Sequence, residues 1–259
     1  EGDRIVSQGV AGVRKLGEPT PASLQDRWHL GSCTKAMTAT LVAALVERGA
    51  LKWETTIGES LPDLAVDIRP DYRNATIEQL LAHRGGIHHE WDVPSLWDKL
   101  WKREGTPTEQ RRIMAKAMLS QEPKVPIGEY FYSNCGYGIA GLTAETVAGK
   151  PWEQLMREFV FEPLDMRSAG FGVPWEGEPP TDPWPHTRDG TPVTPSPFAD
   201  NPPSIGPGGT VHATIEDWAK FAFDHLKGDR GESGTVLKPE SYKRLHKGRA
   251  TGPTADDYA

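Results

Sequence analysis

A serine and a lysine lie three positions apart in the tetrad Ser32-Cys33-Thr34-Lys35, where the sequence predicts the start of a helix. On a helix this spacing is about one turn, so both side chains would project from the same face. A serine hydroxyl is a weak nucleophile and needs a base within hydrogen-bonding distance. Lys35 could be that base if burial or a nearby cation lowers its pKa, so that the amine is neutral part of the time. The tetrad therefore indicates acyl-transfer chemistry.

The alternative interpretation of the tetrad is a serine cap followed by a solvated lysine, because two fixed positions recur by chance in many helices. Two features favour chemistry. Gly31 precedes the serine, and the apolar helix that follows has no other charged residue until Glu47. A lysine on a largely buried helix requires a partner. A serine at the helix N-terminus would also lie beside backbone N–H groups that stabilise developing negative charge.

A second group of candidate residues is the triplet Tyr132-Ser133-Asn134, just before a helix rich in small residues. A phenol beside a cationic lysine can be stabilised as a phenolate and can share in proton transfer. The asparagine amide has a donor and an acceptor, which suit it to orient a substrate amide or Lys35. Alone, the triplet would fit equally a tyrosine packed on the core and an asparagine in a local turn.

The tetrad and the triplet together resemble the motifs of the serine β-lactamase and penicillin-binding-protein superfamily, above all class C β-lactamases, family VIII carboxylesterases and D-aminopeptidases. In these proteins a serine–lysine tetrad opens a central helix and a Y-x-N triplet faces it. The serine-to-tyrosine spacing here is 100 residues. Three further segments resemble the family in the expected order: "LLAHRGGI" (Leu80 to Ile87), "EPLDM" (Glu162 to Met166) and "GPGGTVHATIEDWAKF" (Gly206 to Phe221).

The resemblance implies an α+β fold of the β-lactamase/transpeptidase type, with an antiparallel sheet flanked by helices and a mostly helical lobe. It implies one domain of two lobes over residues 1–259. The sheet lobe would contain residues of about 1–54 and 205–259, and the helical lobe about 55–165. A long proline-rich loop would span about 172–207.

By the same resemblance, Ser32 would attack a carbonyl, Lys35 and Tyr132 would transfer its proton, and Asn134 would bind the substrate. No metal or cofactor is implied. The expected substrates are small molecules: β-lactams, esters, or D-amino-acid amides and peptides, with β-lactamase-like hydrolysis foremost. The alternative is a non-catalytic binding or scaffold protein of the same fold. The resemblance also suggests a periplasmic or secreted location.

One departure from the family concerns a third motif, K-T-G or H-x-G, which lies on a strand beyond the last helix and lines the site. The sequence ends at Ala259 without it, and Lys247-Gly248-Arg249 lacks the hydroxyl residue. The family's first helix and strand are also not recognisable. We therefore expect either a fragment without its terminal strands or a second chain that completes the fold.

Composition and charge argue against two other classes of partner. The formal net charge is -7, so there is no basic field of the kind that binds nucleic acid. The apolar run from Leu41 to Val46 is far shorter than the roughly 20 residues of a membrane span. Cys33 and Cys135 are too few for a disulfide framework, and either a bond between them or two small buried thiols fits the sequence.

Local patterns predict the elements that position these residues. Residues 4–14 carry β-branched residues broken by glycines, which is typical of a strand and turn. An apolar helix follows Ser32 and ends at Gly49. The other predicted helices run from the capping box at Thr76 to Gly85-Gly86, from Thr106-Pro107 to about Gln121, over 136–149, over 151–161 and from Thr214 onward.

The proline-rich segment 172–207 contains 11 of the 23 prolines. Its aromatic residues, Trp175, Trp184 and Phe198, favour an ordered loop over a disordered linker.

Other histidines and tryptophans are weaker candidates. His88-His89-Glu90 suggests a metal site only superficially, because adjacent histidines diverge. His83 and His212 are expected to hold loop backbones, while Trp97 and Trp101 could form either a substrate wall or part of the core.

Overall fold

Helices dominate the described residues, 4–174 and 181–248, of this computed structural model. None of these helices combines the length and the apolar character that crossing a bilayer requires. A π-helical turn, Arg157–Phe161, continues the eighth helix. The α-helices are α1 (Thr34–Glu47), α2 (Ile57–Ser60), α3 (Pro70–Arg73), α4 (Ile77–Leu81), α5 (Leu96–Trp101), α6 (Pro107–Leu119), α7 (Asn134–Ala148), α8 (Trp152–Met156), α9 (Gly206–Gly209), α10 (Ile215–Asp229) and α11 (Pro239–Leu245).

The sheet of the described residues has three short strands, β1 (Trp28–His29), β2 (Gly170–Phe171) and β3 (Val211–Ala213). Their order is β1-β3-β2, and both pairings are antiparallel. In this register His212 of β3 lies opposite both His29 and Gly170. Helices with an antiparallel sheet confirm the α+β class. The division of the chain into a sheet lobe and a helical lobe stays a prediction.

Helix α1 is central because most of its apolar side chains are buried. Met37, Leu41 and Val42 are fully inaccessible, and α1 contacts α7, α8, α9 and α11. The helix ends where the sequence predicts: Gly49 adopts a φ of 73°, and its N–H bonds the carbonyl of Val46 at 2.9 Å. Glycine takes this left-handed conformation without the steric cost that a Cβ imposes.

The predicted strand over residues 4–14 is wrong. The described residues there form only an isolated bridge, between Val13 and Pro21, and Val6 is 65% exposed. β-branched residues favour a strand where they pack on a half-buried pleated surface. Within the described part of the chain this segment pairs with no strand, and Gly12 turns the chain with a φ of 99°.

Helix α4 begins at the predicted capping box and ends earlier than predicted. Thr76 Oγ1 accepts from the N–H of Gln79, and the Gln79 side chain accepts from the N–H of Thr76. The helix stops at Leu81 rather than at Gly85-Gly86, because His83 adopts a left-handed φ of 57°. The carbonyl of His83 accepts a hydrogen bond from the N–H of Phe131 at 2.8 Å. A residue distant in sequence therefore satisfies this carbonyl, in place of a further helical turn.

The other predicted helices lie close to their expected positions. Thr106 and Thr214 cap α6 and α10 as predicted, while α6 ends at Leu119. Helix α7 begins at Asn134, two residues before the predicted 136, because the Ser133 hydroxyl caps it by accepting from Gly136 N. The predicted 151–161 helix is α8 followed by the π-helical turn.

The described parts of the proline-rich loop are bonded to the N-terminal segment. Asp182 pairs with Arg27 at 2.7 Å, and the N–H of Trp184 bonds the carbonyl of Arg14 at 2.8 Å. These contacts are those of an ordered loop. Phe198 remains 60% exposed, and Trp175 lies outside the described residues.

A buried ion cluster joins α6 to α7 and α8. The guanidinium of Arg111 is fully buried and donates to Glu145 Oε1 at 2.6 Å and to Glu153 Oε2 at 2.8 Å. It also donates to the carbonyl of Pro203 at 2.8 Å, just before α9. Because α7 begins at Asn134, this cluster fixes the helix that carries one candidate site residue.

Replacing Arg111 with Met should lower the free energy of unfolding by about 3–5 kcal/mol, because Glu145 would keep a buried charge without its partner. Urea denaturation measures the change. Arg112→Met is the matched control: its side chain is 40% exposed, so its ion pair with Asp63 contributes about 1 kcal/mol or less. Equal effects of the two substitutions would contradict a clamping role for Arg111.

Candidate active site

Ser32 lies in a 3₁₀ turn, Gly31–Cys33, that leads directly into α1. Two hydrogen bonds hold this turn against β3: Leu30 N donates to the carbonyl of Val211 at 2.8 Å, and the Thr34 side-chain Oγ1 accepts from Val211 N at 3.0 Å. The serine side chain is left exposed at the start of the helix. The sheet therefore fixes where the hydroxyl stands.

The Lys35 side chain is buried beside this hydroxyl, with the residue only 3% exposed. Its Nζ donates to Ser32 Oγ at 3.1 Å, to Asn134 Oδ1 at 2.8 Å and to the carbonyl of Gly208 at 2.6 Å. Burial lowers the pKa of Lys35 to about 8, although the negative charge of Glu90 raises it. The amine is therefore partly neutral in mildly alkaline solution.

The phenol of Tyr132 completes the group of four predicted residues. Its oxygen lies 2.8 Å from Ser32 Oγ, and its ring centroid lies 4.8 Å from Lys35 Nζ. The His83 ring stacks on the Tyr132 ring at 4.4 Å between centroids. The structure thus brings together Ser32, Lys35, Tyr132 and Asn134, which come from two segments 100 residues apart.

His83 positions the segment that carries Tyr132, as the sequence predicts. Its Nδ1 accepts from the N–H of Ser133 at 3.1 Å, which places the ring proton on Nε2. Burial, and then the charge of Lys35, lowers the pKa of His83 to about 3. Because the His83 imidazole is neutral and its Nδ1 already accepts from the Ser133 N–H, His83 supports the loop. His212 plays a similar part, since its Nδ1 bonds the carbonyl of Gly172 at 2.9 Å.

The carbonyl of Gly208 is a site feature that the sequence pattern did not reveal. It belongs to α9, which is held on α1 by a bond from Thr38 Oγ1 to the carbonyl of Pro207 at 2.8 Å. Helix α9 also lies close to α7. Gly141 of α7 permits this contact, because a Cβ there would stand 2.4 Å from Pro207 Cγ. The glycine-rich run "GPGG" was the available signal for a close backbone approach.

Glu90 is a second site feature without a sequence signal, because the sequence presents it only within His88-His89-Glu90, a poor metal site. In the structure the three side chains have different partners. His88 Nε2 bonds the carbonyl of Glu122 at 2.7 Å, His89 stacks on Trp91, and Glu90 accepts from Asn134 Nδ2 at 3.2 Å. Within the described residues, His, Cys, Asp and Glu side chains form no group of three that could hold a metal ion.

A cavity of about 300 Å³ opens beside Ser32 and Lys35, between α1, α4 and α11. Its lining includes the small and apolar residues Ala36, Ala39 and Leu81. It also includes the charged residues Lys247, Arg244 and Glu78, of which the last two form an ion pair at 2.8 Å. This cavity is large enough to admit part of a small-molecule substrate.

Trp97 and Trp101 do not line this cavity. They pack edge to face at 5.5 Å, and Trp101 lines a separate cavity with Trp28 and Phe198. The packing interpretation is therefore the better one for Trp97.

Both cysteines are free thiols, so the bonded alternative is wrong. Cys33 is exposed, which also corrects the expectation of two buried thiols. Cys135 is buried, and its Sγ donates to Glu90 Oε2 at 3.7 Å.

Comparison with known proteins identifies relatives of this chain. The chain is 30% identical over 247 residues to penicillin-binding protein 4 of Amycolatopsis lactamdurans, an alignment that covers 94% of this chain and 62% of that protein. It is 28% identical over 248 residues to an unguisins hydrolase of Aspergillus campestris, covering 92% of this chain and 44% of that one. The chain thus spans less than two thirds of these curated relatives.

A solved structure shares the fold. The octameric penicillin-binding protein homologue from Pyrococcus abyssi superposes with a TM-score of 0.71 at 24% identity, covering 94% of this chain and 53% of that one. This likeness confirms the expected β-lactamase/transpeptidase-type fold. The sequence profile of the family described as Beta-lactamase matches residues 1–258. The chain therefore belongs to the Beta-lactamase family.

Proposed function

We propose that this chain is a serine hydrolase that works through an acyl-enzyme formed on Ser32. One observation carries the proposal: the Ser32 hydroxyl contacts both Lys35 Nζ, at 3.1 Å, and the Tyr132 oxygen, at 2.8 Å. A nucleophile in contact with two groups able to move a proton is the arrangement that covalent catalysis needs. Family membership and the similarity to a penicillin-binding protein and a hydrolase support it.

Lys35 acts as the base because of its other two partners. Asn134 Oδ1 and the carbonyl of Gly208 can only accept hydrogen bonds. When Lys35 loses a proton, its two remaining N–H bonds are directed to these oxygens. The lone pair then faces Ser32 Oγ and can accept the hydroxyl proton.

Acylation follows from that transfer. Ser32 Oγ bonds the carbonyl carbon, and the Ser32 proton passes to Lys35. Negative charge on the carbonyl oxygen is stabilised by backbone N–H groups of the turn that leads into α1, that of Ser32 among them. Collapse of the intermediate breaks the carbonyl C–N or C–O bond, and Tyr132 gives its own phenolic proton to the leaving nitrogen or oxygen. A phenolate then remains beside the Lys35 ammonium.

Deacylation returns the serine. A water molecule attacks the acyl carbon, the Tyr132 phenolate accepts one of its protons, and the bond to Ser32 Oγ breaks as that oxygen takes its proton back from the Lys35 ammonium. The Lys35 ammonium, 4.8 Å from the phenol ring, stabilises the phenolate that this step requires.

The substrates of this proposal are β-lactams, esters and D-amino-acid amides, with β-lactamase-like hydrolysis first. All three present a carbonyl to which the same acyl transfer applies. The cavity beside Ser32 supports small substrates, because its volume of about 300 Å³ is at the lower end of the range for ligand pockets.

Replacing Ser32 with Ala should abolish covalent labelling by a fluorophosphonate or a labelled penicillin, because the only proposed acceptor oxygen is removed. Intact-protein mass spectrometry detects the adduct, and peptide mapping locates it. Ser120→Ala, an exposed serine at the end of α6, is the control and should label normally. A wild-type protein that folds but takes no adduct would favour the non-catalytic alternative instead.

Labelling of Ser32 should speed up as pH rises through about 8, the pKa of Lys35, because only the neutral amine accepts a proton. Lys35→Arg should slow labelling by about 10²–10⁴-fold at every pH, since a guanidinium stays charged. Lys116→Arg, whose side chain is 61% exposed on α6, should leave the profile unchanged. A rate independent of pH between about 6 and 10 would argue against Lys35 as the base.

A further inference from the structure

Glu90 carries a carboxylate buried directly behind the candidate site. It opens a 3₁₀ turn, Glu90–Asp92, and is 2% exposed. Its Oε1 accepts from Asn134 Nδ2 at 3.2 Å, and its Oε2 accepts from Cys135 Sγ at 3.7 Å. A buried carboxylate is costly unless it is hydrogen-bonded and balanced by positive charge. Asn134 supplies the bond, and Lys35 is the cation on the far side of that amide.

The Asn134 amide could present either end to Lys35, because its oxygen and nitrogen have nearly the same shape and size. Its neighbours remove the ambiguity. The Lys35 ammonium only donates and the Glu90 carboxylate only accepts, so the oxygen must face Lys35 and the nitrogen must face Glu90.

The opposite orientation would defeat the proposed chemistry. With the amide rotated, its NH₂ group would donate to the lone pair of neutral Lys35. That lone pair is the one that must accept the Ser32 proton. Orientation of a single amide thus decides whether the lysine can act as a base.

We propose that Glu90 is a positioning residue of the site, which fixes the Asn134 amide with its oxygen toward Lys35 and supplies the buried negative charge that balances the lysine. This inference rests on the proposed function, because it concerns the proton that Lys35 takes from Ser32. Glu90 itself does not touch the hydroxyl.

Among the described residues, Glu90 is the carboxylate whose charge acts on Lys35. Of the titratable groups facing the amine, His83 is neutral, since burial and the nearby Lys35 charge lower its pKa to about 3, and Tyr132 and Tyr137 present their rings. The neighbour of Glu90 on α7 is the Cys135 thiol, whose pKa is raised by burial and by Glu90. Asp92, on the Glu90 turn, forms its ion pair with Lys124.

Glu90→Gln separates the charge from the hydrogen bond. Its amide oxygen still accepts from Asn134 Nδ2 while the charge is lost, so the Lys35 pKa should fall. The rise of Ser32 fluorophosphonate labelling with pH should then move down by about 0.5–1 pH unit. Glu129→Gln, an exposed glutamate three residues before Tyr132, is the matched control and should not move the profile.

Glu90→Asp makes the complementary change. It keeps the charge but shortens the side chain, so the carboxylate no longer reaches the amide. Labelling should slow by about 10–100-fold with an unchanged pH midpoint. Circular dichroism establishes that each variant is folded. If Glu90→Gln does not fold, a full labelling rate in Glu90→Asp still overturns the inference.

The outcomes distinguish the two proposals. Wild-type labelling with an unmoved Glu90→Gln profile overturns the role of Glu90 and leaves the proposed function intact. Absence of wild-type labelling overturns the proposed function, and the role of Glu90 with it. A shift in Glu90→Gln together with a slower Glu90→Asp supports both.

Discussion

The burial of one amine is the constraint on which the site depends. Lys35 is removed from water, so its charge must be balanced and its N–H groups must find acceptors within the protein. Its Nζ donates to three acceptors, which lie in the turn before α1, on the first residue of α7 and in the backbone of α9. Burial also brings its pKa to about 8. The same desolvation that makes the lysine costly makes it suitable as a base.

The rest of the fold can be understood as support for these three contacts. The sheet holds the turn of Ser32 through Val211, and the Arg111 cluster holds α7 against α6 and α8. Gly141 lets α9 approach closely enough for its carbonyl to reach the amine. The supporting interactions are mostly backbone hydrogen bonds and buried charge pairs, which have narrow geometric tolerance. They fix atoms more strictly than apolar packing alone would.

Elements and residues with local signals were predictable from the sequence. The hydroxyl caps at Thr76, Thr106 and Thr214 located three helix starts, because a cap needs only its own next turn. Ser32 and Lys35 were found for the same reason. Tyr132 required the resemblance to a family, since nothing local links it to a helix 100 residues away.

What could not be predicted depended on distant partners. Residues 4–14 have strand-forming side chains, yet a strand also requires a neighbour, which the sequence does not specify. His83 ends α4 early because Phe131 bonds its carbonyl. Glu90 gave no signal, because its role exists only once Asn134, 44 residues later, is folded against it.

The distribution of the lysine's acceptors along the chain has a consequence for biosynthesis. A nascent polypeptide exposes the serine and lysine early, whereas the asparagine and the Gly208 carbonyl emerge 99 and 173 residues after the lysine. Until those later segments dock, the amine stays hydrated and protonated, and the hydroxyl is an ordinary alcohol. The proposed nucleophile is therefore assembled only after the segment with Gly208 has been synthesised and has docked on α1.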